Sequence, residues 1–184
     1  MESNKVYLVK SKADLEAVRS VGINNVICYE GLIEMESQWR GLNNKADTVI
    51  ILYEEVKDAD DPQSYIMTTG DTLLACGINV LVSDIGSNSP VDEVRYWTER
   101  GDVNQAAEEF RRSFDYIDYL VYTKYLSSHT PFDKAEVIKR IALSIDKMSD
   151  VVRRRVYLNA LAETVQVPVE VLLEYIDKVN ELPF

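Results

Sequence analysis

The sequence predicts an α/β domain with a mostly parallel four-stranded sheet flanked by helices, followed by an all-α helical tail. Three observations carry this. Through residue 83, short β-branched runs alternate with stretches of helical period, and that alternation builds a parallel sheet with right-handed crossovers. From Pro90 onward no run reads as a strand, and helical spacing continues to Val179. Apolar residues make up 46% of the 184, enough for a packed core rather than a disordered chain.

The elements follow in order. Lys5 to Val9 is short, apolar and β-branched, hence a strand. Ser11 to Val21 places Ala13, Leu15, Ala17, Val18 and Val21 at helical spacing, with Ser11 and Asp14 as a capping box and Gly22 as the stop. Asn25 to Tyr29 is a second strand, and a short helix is expected around Glu34 to Leu42. Thr48 to Tyr53 is the most apolar run, as a central buried strand should be. An acidic loop, Glu54 to Pro62, precedes a helix from about Gln63 to Cys76 that ends at Gly77, and Asn79 to Ser83 is the fourth strand. Helices are then expected over Val91 to Gly101, over Val103 to Ser127, and in a terminal group at 133–148, 150–164 and 168–180. Thr130-Pro131-Phe132-Asp133 supplies a capping Thr, a Pro at the first helical position and an acid at the third.

Twenty basic and 31 acidic side chains give a net charge of −11. Residues 1–92 hold 7 basic and 15 acidic groups (−8), and 93–184 hold 13 and 16 (−3). That balance argues against strong nucleic-acid binding, because phosphate contacts need clustered Lys and Arg. Two Cys and one His fall short of the four ligands of a structural zinc site. Met1 to Lys5 is polar and no apolar run approaches the ~20 residues that span a bilayer, so neither a leader nor a membrane segment is expected. Cys28 and Cys76 read as small core residues of a reduced, cytoplasmic protein.

In a parallel sheet the working groups sit on loops at the carboxyl ends of strands, and there a family resemblance enters. Lys10-Ser11-Lys12-Ala13-Asp14, then Gly22-Ile23-Asn24-Asn25-Val26, has the spacing of the first Toprim motif and next strand of bacterial DnaG-type DNA primases. Val49 to Glu54 sits where primases run an apolar strand into an Asp-x-Asp motif. His129 to Lys134, Val151 to Leu158 and Leu161 to Pro168 resemble the helical region that follows; this last match is the most specific. The resemblance covers nearly the whole chain. It implies a Toprim-like domain over 1–92, linker helices over 93–128 and a three-helix bundle over 131–182.

The departures bear on chemistry. A Toprim domain holds Mg²⁺ on an acidic cluster, and the metal neutralises phosphate charge and positions the attacking oxygen. By the resemblance, Lys10 stands at the family's glutamate and Ser11 at its glycine; the Asp-x-Asp positions are Glu54 and Val56. The downstream Asp-Pro-Asp segment reads Ser89-Pro90-Val91-Asp92, with Asp92 displaced by one residue, while Asp14 keeps the acid closing the first motif. An ammonium ~4 Å from a divalent ion at an effective dielectric near 20 opposes it by about 8 kcal/mol. Metal binding in the family manner is therefore not expected. Asp58 and Asp84 are the acids that, with Glu54, would make a rearranged site; a solvated turn is the plainer reading of the acidic loop.

Other signals have two readings each. Arg153-Arg154-Arg155 is either a solvated face paired with acids such as Asp150 or a small partner contact. Ala160 to Tyr175 has a helix-turn-helix outline, but the start of its second helix, Val169 to Glu174, carries acids and aliphatics and lacks Arg, Asn or Gln for base edges. The aromatic run Trp97, Phe110, Phe114, Tyr116, Tyr119, Tyr122 and Tyr125 is core packing or a stripe facing a partner or a second copy in a homodimer. His129 reads as a helix-start residue. No Walker loop, nucleophile elbow or H-E-x-x-H occurs.

The expected function is thus a non-catalytic, primase-related protein without a cofactor, acting through a replicative helicase or primase-type partner in DNA replication or a mobile element. Its rivals are an active Toprim enzyme, a primase-type RNA polymerase or a nuclease using Mg²⁺, and a module holding an anionic ligand on Lys10, Lys12 and helix N-termini.

Overall fold

The structure is a computed structural model that describes residues 4–31, 33–42, 46–52, 65–83, 85 and 89–181. The chain divides into two compact units, Met1–Leu73 with Ile78–Tyr116, and Leu74–Gly77 with Ile117–Phe184.

The first unit is a five-stranded sheet in the order β2-β1-β3-β4-β5. Its strands are β1 (Lys5–Val9), β2 (Val26–Cys28), β3 (Thr48–Leu52), β4 (Asn79–Ser83) and β5 (Ser113–Asp115). β1 to β4 pair in parallel, with Tyr7 opposite Val26 on one side and Ile50 on the other. Every residue of β3 is buried, because helices cover both faces of such a sheet.

The helices are α1 (Lys12–Ser20), α2 (Glu36–Leu42), α3 (Tyr65–Ala75), α4 (Pro90–Glu99) and α5 (Val103–Arg111). On one face Tyr7, Val9, Val18, Ile23, Val26, Ile50, Leu52, Ala106, Ala107 and Phe110 form a single core. α1 packs on β2 and α4, and α4 packs on α5. The alternate residues Val6, Leu8, Val49 and Ile51 are fully buried on the opposite face.

β5 adds a fifth strand to the four that the sequence predicts, ahead of the helical tail. It pairs antiparallel to β4, with Leu81 opposite Asp115 and Ser83 opposite Ser113. Arg112, at φ −70° and ψ 111°, ends α5 in an extended conformation. The Ser83 hydroxyl lies 3.1 Å from the carbonyl oxygens of both Glu109 and Arg112 and satisfies the helix end. The single helix expected over Val103 to Ser127 is therefore α5, β5, a short α6 (Tyr116–Leu120) and a π-helical turn, Val121–Tyr125. α4, α5 and β5 belong to the same compact unit as β1 to β4.

Tyr116 anchors the end of this unit. Its ring is 1% exposed, and its hydroxyl lies 2.9 Å from Asp71 Oδ1 and 3.1 Å from the Met67 carbonyl oxygen on α3. A Cβ on Gly70 would meet the ring at 2.6 Å, so α3 needs glycine there.

The second unit holds α7 (Pro131–Asp146), α8 (Val151–Val165) and α9 (Val169–Asn180), as the sequence predicts. Leu120, Ile141, Ile145, Met148, Leu158, Leu161, Val165, Leu172 and Ile176 are buried. Thr130 caps α7 by accepting from the Asp133 N–H at 3.1 Å, and Asp150 caps α8 by accepting from the N–H groups of Val152 and Arg153. Gln166 closes α8 in the left-handed region at φ 57°, and the chain bends by 120° into α9. No single helix among the described residues is long and apolar enough to cross a membrane.

Candidate functional site

The strand order changes direction between β1 and β3: β2 lies to one side of β1, and β3 and β4 to the other. Ligands of open α/β sheets bind at the carboxyl edge of such a switch point. The residues following β1, β3 and β4 are the motif positions identified above. Glu54, Val56, Asp58 and Asp84 lie outside the described residues. Lys10, Ser11, Asp14, Ser89 and Asp92 are described, and each has a definite place.

Lys10 is exposed at the carboxyl end of β1. Ser11 follows as the N-cap of α1, accepting from the Asp14 N–H at 3.1 Å and donating to Asp14 Oδ2 at 2.6 Å. Ser89 repeats the device on α4. It accepts from the Asp92 N–H at 3.2 Å and donates to Asp92 Oδ2 at 2.8 Å, while Asp92 Oδ1 accepts from Arg95 at 3.0 Å. The acid that read as displaced by one residue is thus the third helical residue of a Ser-x-x-Asp cap. Each carboxylate also complements the positive end of its helix dipole. Thr130 and Asp133 make the same arrangement on α7, at 2.6 Å.

Around β1 and β2 the charge is mixed. Burial pushes the Cys28 thiol above its ordinary value, Glu30 and Asp14 push it further, and Lys12 opposes them. Among the described residues no group of three or more His, Cys, Asp or Glu side chains is placed to hold a metal ion. At the described motif positions, Lys10 is exposed after β1, and Asp14 and Asp92 cap α1 and α4. One buried carboxylate escaped sequence reasoning. Glu93, in the first turn of α4, accepts from the Trp97 indole N–H at 2.7 Å; the i,i+4 spacing of an acid and a Trp was the signal available.

The basic triplet resolves residue by residue. Arg154 turns inward to Asp146, at 3.1 Å from Oδ1 and 3.3 Å from the carbonyl oxygen. Arg153 lies over the Tyr157 ring at 5.5 Å from its centroid. Arg155 is exposed. Asp150, expected as an ion-pair partner, is the N-cap instead. The aromatic run also divides: Phe110 and Tyr116 are core, whereas Tyr122 is 70% and Phe114 46% exposed.

Comparison with known proteins is consistent with this geometry. The chain superimposes on the Aquifex aeolicus primase (zinc-binding and RNA polymerase domains) with a TM-score of 0.69 at 19% identity, covering 93% of this chain and 40% of that one. It has the fold of the primase core. A DNA primase domain from Pseudomonas aeruginosa matches at 0.68 and 15% identity (95% and 54% covered), and the Escherichia coli primase catalytic core at 0.68 and 17% (90% and 53%). The chain spans about half the length of these primase chains or less. Residues 124–170 match the sequence model of the DnaB-helicase binding domain of primase. No curated protein matches the sequence.

Proposed function

We propose that the chain is a primase-related protein of DNA replication that works by contacting the replicative helicase and does not itself polymerise. The helicase-binding match over residues 124–170 carries this reading; those residues span the π-helical turn to α9 and include the stretch His129 to Pro168. Non-catalysis rests on Lys10, which follows β1, and on the use of Asp14 and Asp92 as helix caps. A Toprim-type reaction needs several free carboxylates converging on Mg²⁺, and two of the acids nearest the family's positions are engaged elsewhere.

The test has two arms. The purified protein is expected to bind the replicative helicase of its own source saturably, and to make no primer on single-stranded template with ribonucleotides and Mg²⁺ or Mn²⁺. Template-dependent product that disappears in Glu54→Gln would replace this reading with an active Toprim enzyme. Absence of helicase binding would remove the partner.

A further inference from the structure

The contacts that seat α9 run across helices. Leu172 and Ile176, one turn apart on α9, are buried, and α9 packs on both α7 and α8. The Asn180 amide donates to Asp146 Oδ2 on α7 at 3.2 Å, and the Lys139 ammonium lies 5.7 Å from the Tyr175 ring centroid. Thr130 and Asp150 cap α7 and α8, whereas no side chain caps α9. None of these contacts depends on which copy of the chain supplies α9.

What makes the docking intramolecular is the short joint at 166–168. Gln166 stops α8 at φ 57° and ψ 40°. It is the only non-glycine residue at positive φ among the described residues; α1 and α4 are followed by Gly22 and Gly101, at φ 86° and 75°. A Cβ crowds the backbone in the left-handed region, so the closed joint carries strain that the chain avoids at those two helix stops. Pro168 fixes its own φ and disfavours the helical region for Val167, which leaves the joint little room to relax while α9 stays docked. The Val167 N–H reaches the Ala162 carbonyl oxygen at 3.1 Å; this completes the stop without freeing Gln166. Short strained joints are where elements swap between chains. Once the joint opens, Gln166 leaves the left-handed region, and the docking contacts are recovered on a second chain.

We propose that α9 exchanges between two copies of this chain, each α9 seating on the α7–α8 pair of the other copy through an opened joint at 166–168. The structure fixes the occupant, because α9 already fits the surface: Leu172 and Ile176 are buried there, and Tyr175 and Asn180 meet Lys139 and Asp146. The same contacts form whichever chain provides the helix, and reciprocal exchange closes a two-fold dimer. The exchange is independent of helicase contact.

The full chain is concentrated just below its melting midpoint, cooled, and separated by size-exclusion chromatography with light scattering. A dimer that persists on dilution in the cold is expected, because reversing the exchange requires each α9 to undock. Gln166→Gly relaxes the closed joint and should raise the dimer dissociation constant about fivefold per joint, ~30-fold for the two. Gln166→Asn, which tolerates the left-handed region better than glutamine, should fall between parent and glycine variant. Exchange itself is read with Tyr175→p-benzoylphenylalanine, a photo-crosslinking side chain, in a mixture of isotopically heavy and light chains. Crosslinks from α9 to α7 should join heavy to light chains in the dimer fraction and stay within one chain in the monomer fraction. A chain that remains monomeric at every concentration overturns the proposal. So does a dimer that Gln166→Gly leaves as stable as the parent's. A dimer whose α9-to-α7 crosslinks stay within one chain is assembled through another face and overturns it too.

Discussion

Gly70→Ala is a demanding perturbation of the first unit, because two effects of opposite sign meet at one methyl group. Helix propensity alone favours alanine over glycine by about 1 kcal/mol. Packing opposes it. The new Cβ would lie 2.6 Å from Cζ and 2.7 Å from Cε2 of Tyr116, so the ring must retreat by roughly 0.8–1 Å to regain ordinary contact. The ring is fully buried, and its hydroxyl is tied to Asp71 and Met67. Overpacking of this kind costs about 1–3 kcal/mol, and a disturbed buried hydrogen bond about 1 kcal/mol more. The net expectation is a loss of about 1–3 kcal/mol. Both tryptophans, Trp39 and Trp97, belong to this unit, so urea unfolding followed by fluorescence reports it directly. Pairing the change with Tyr116→Leu should recover at least ~1 kcal/mol of coupling, since the clash leaves with the ring. A Gly70→Ala protein as stable as the parent, or more so, would refute this account of how α3 and Tyr116 pack.

Two further outcomes test the surroundings of the site. Burial raises the Tyr7 hydroxyl above its ordinary value of 10.0, Glu108 adds to the rise and Arg111 opposes it; the folded state therefore holds this proton longer than the unfolded chain. The associated stability is present below about pH 10 and is lost as pH climbs through the raised value. The urea midpoint of Tyr7→Phe should thus fall less between pH 8 and 10.5 than that of the parent, and parallel curves would contradict the assignment. Glu93→Ala strands the Trp97 indole N–H on a half-buried ring and should cost about 1–3 kcal/mol, whereas Glu93→Gln keeps an acceptor and stays within about 0.5 kcal/mol. Equal midpoints for the alanine variant and the parent would show that this bond contributes nothing.

Features carried by contiguous sequence were legible, and those made by distant contact were not. Thr48 to Leu52 announced itself as the central strand because a run buried on both faces must be apolar throughout. The Ser11–Asp14 and Thr130–Asp133 caps were readable from a three-residue spacing. Ser89–Asp92 has the same spacing, but its place in a family pattern, where Asp92 reads as displaced by one residue, competes with its local chemistry. β5 was missed for two reasons. Three residues carry too little period, and antiparallel pairing to β4 is fixed by Ser83, about 30 residues earlier in the chain. The need for Gly70 is likewise invisible without Tyr116 across the fold. At the site, Lys10, Ser11 and Asp14 came together as their order along β1 and α1 dictates, and the triplet Arg153 to Arg155 separated because successive helical residues point about 100° apart.

Manganese titration tests the central claim most directly, since a polymerising relative must hold its metal before it can do anything else. Calorimetry of the full chain at neutral pH is expected to give no saturable heat up to millimolar Mn²⁺. A micromolar site lost in Glu54→Gln would contradict the account, because carboxylates would then be gathering a divalent ion in spite of Lys10.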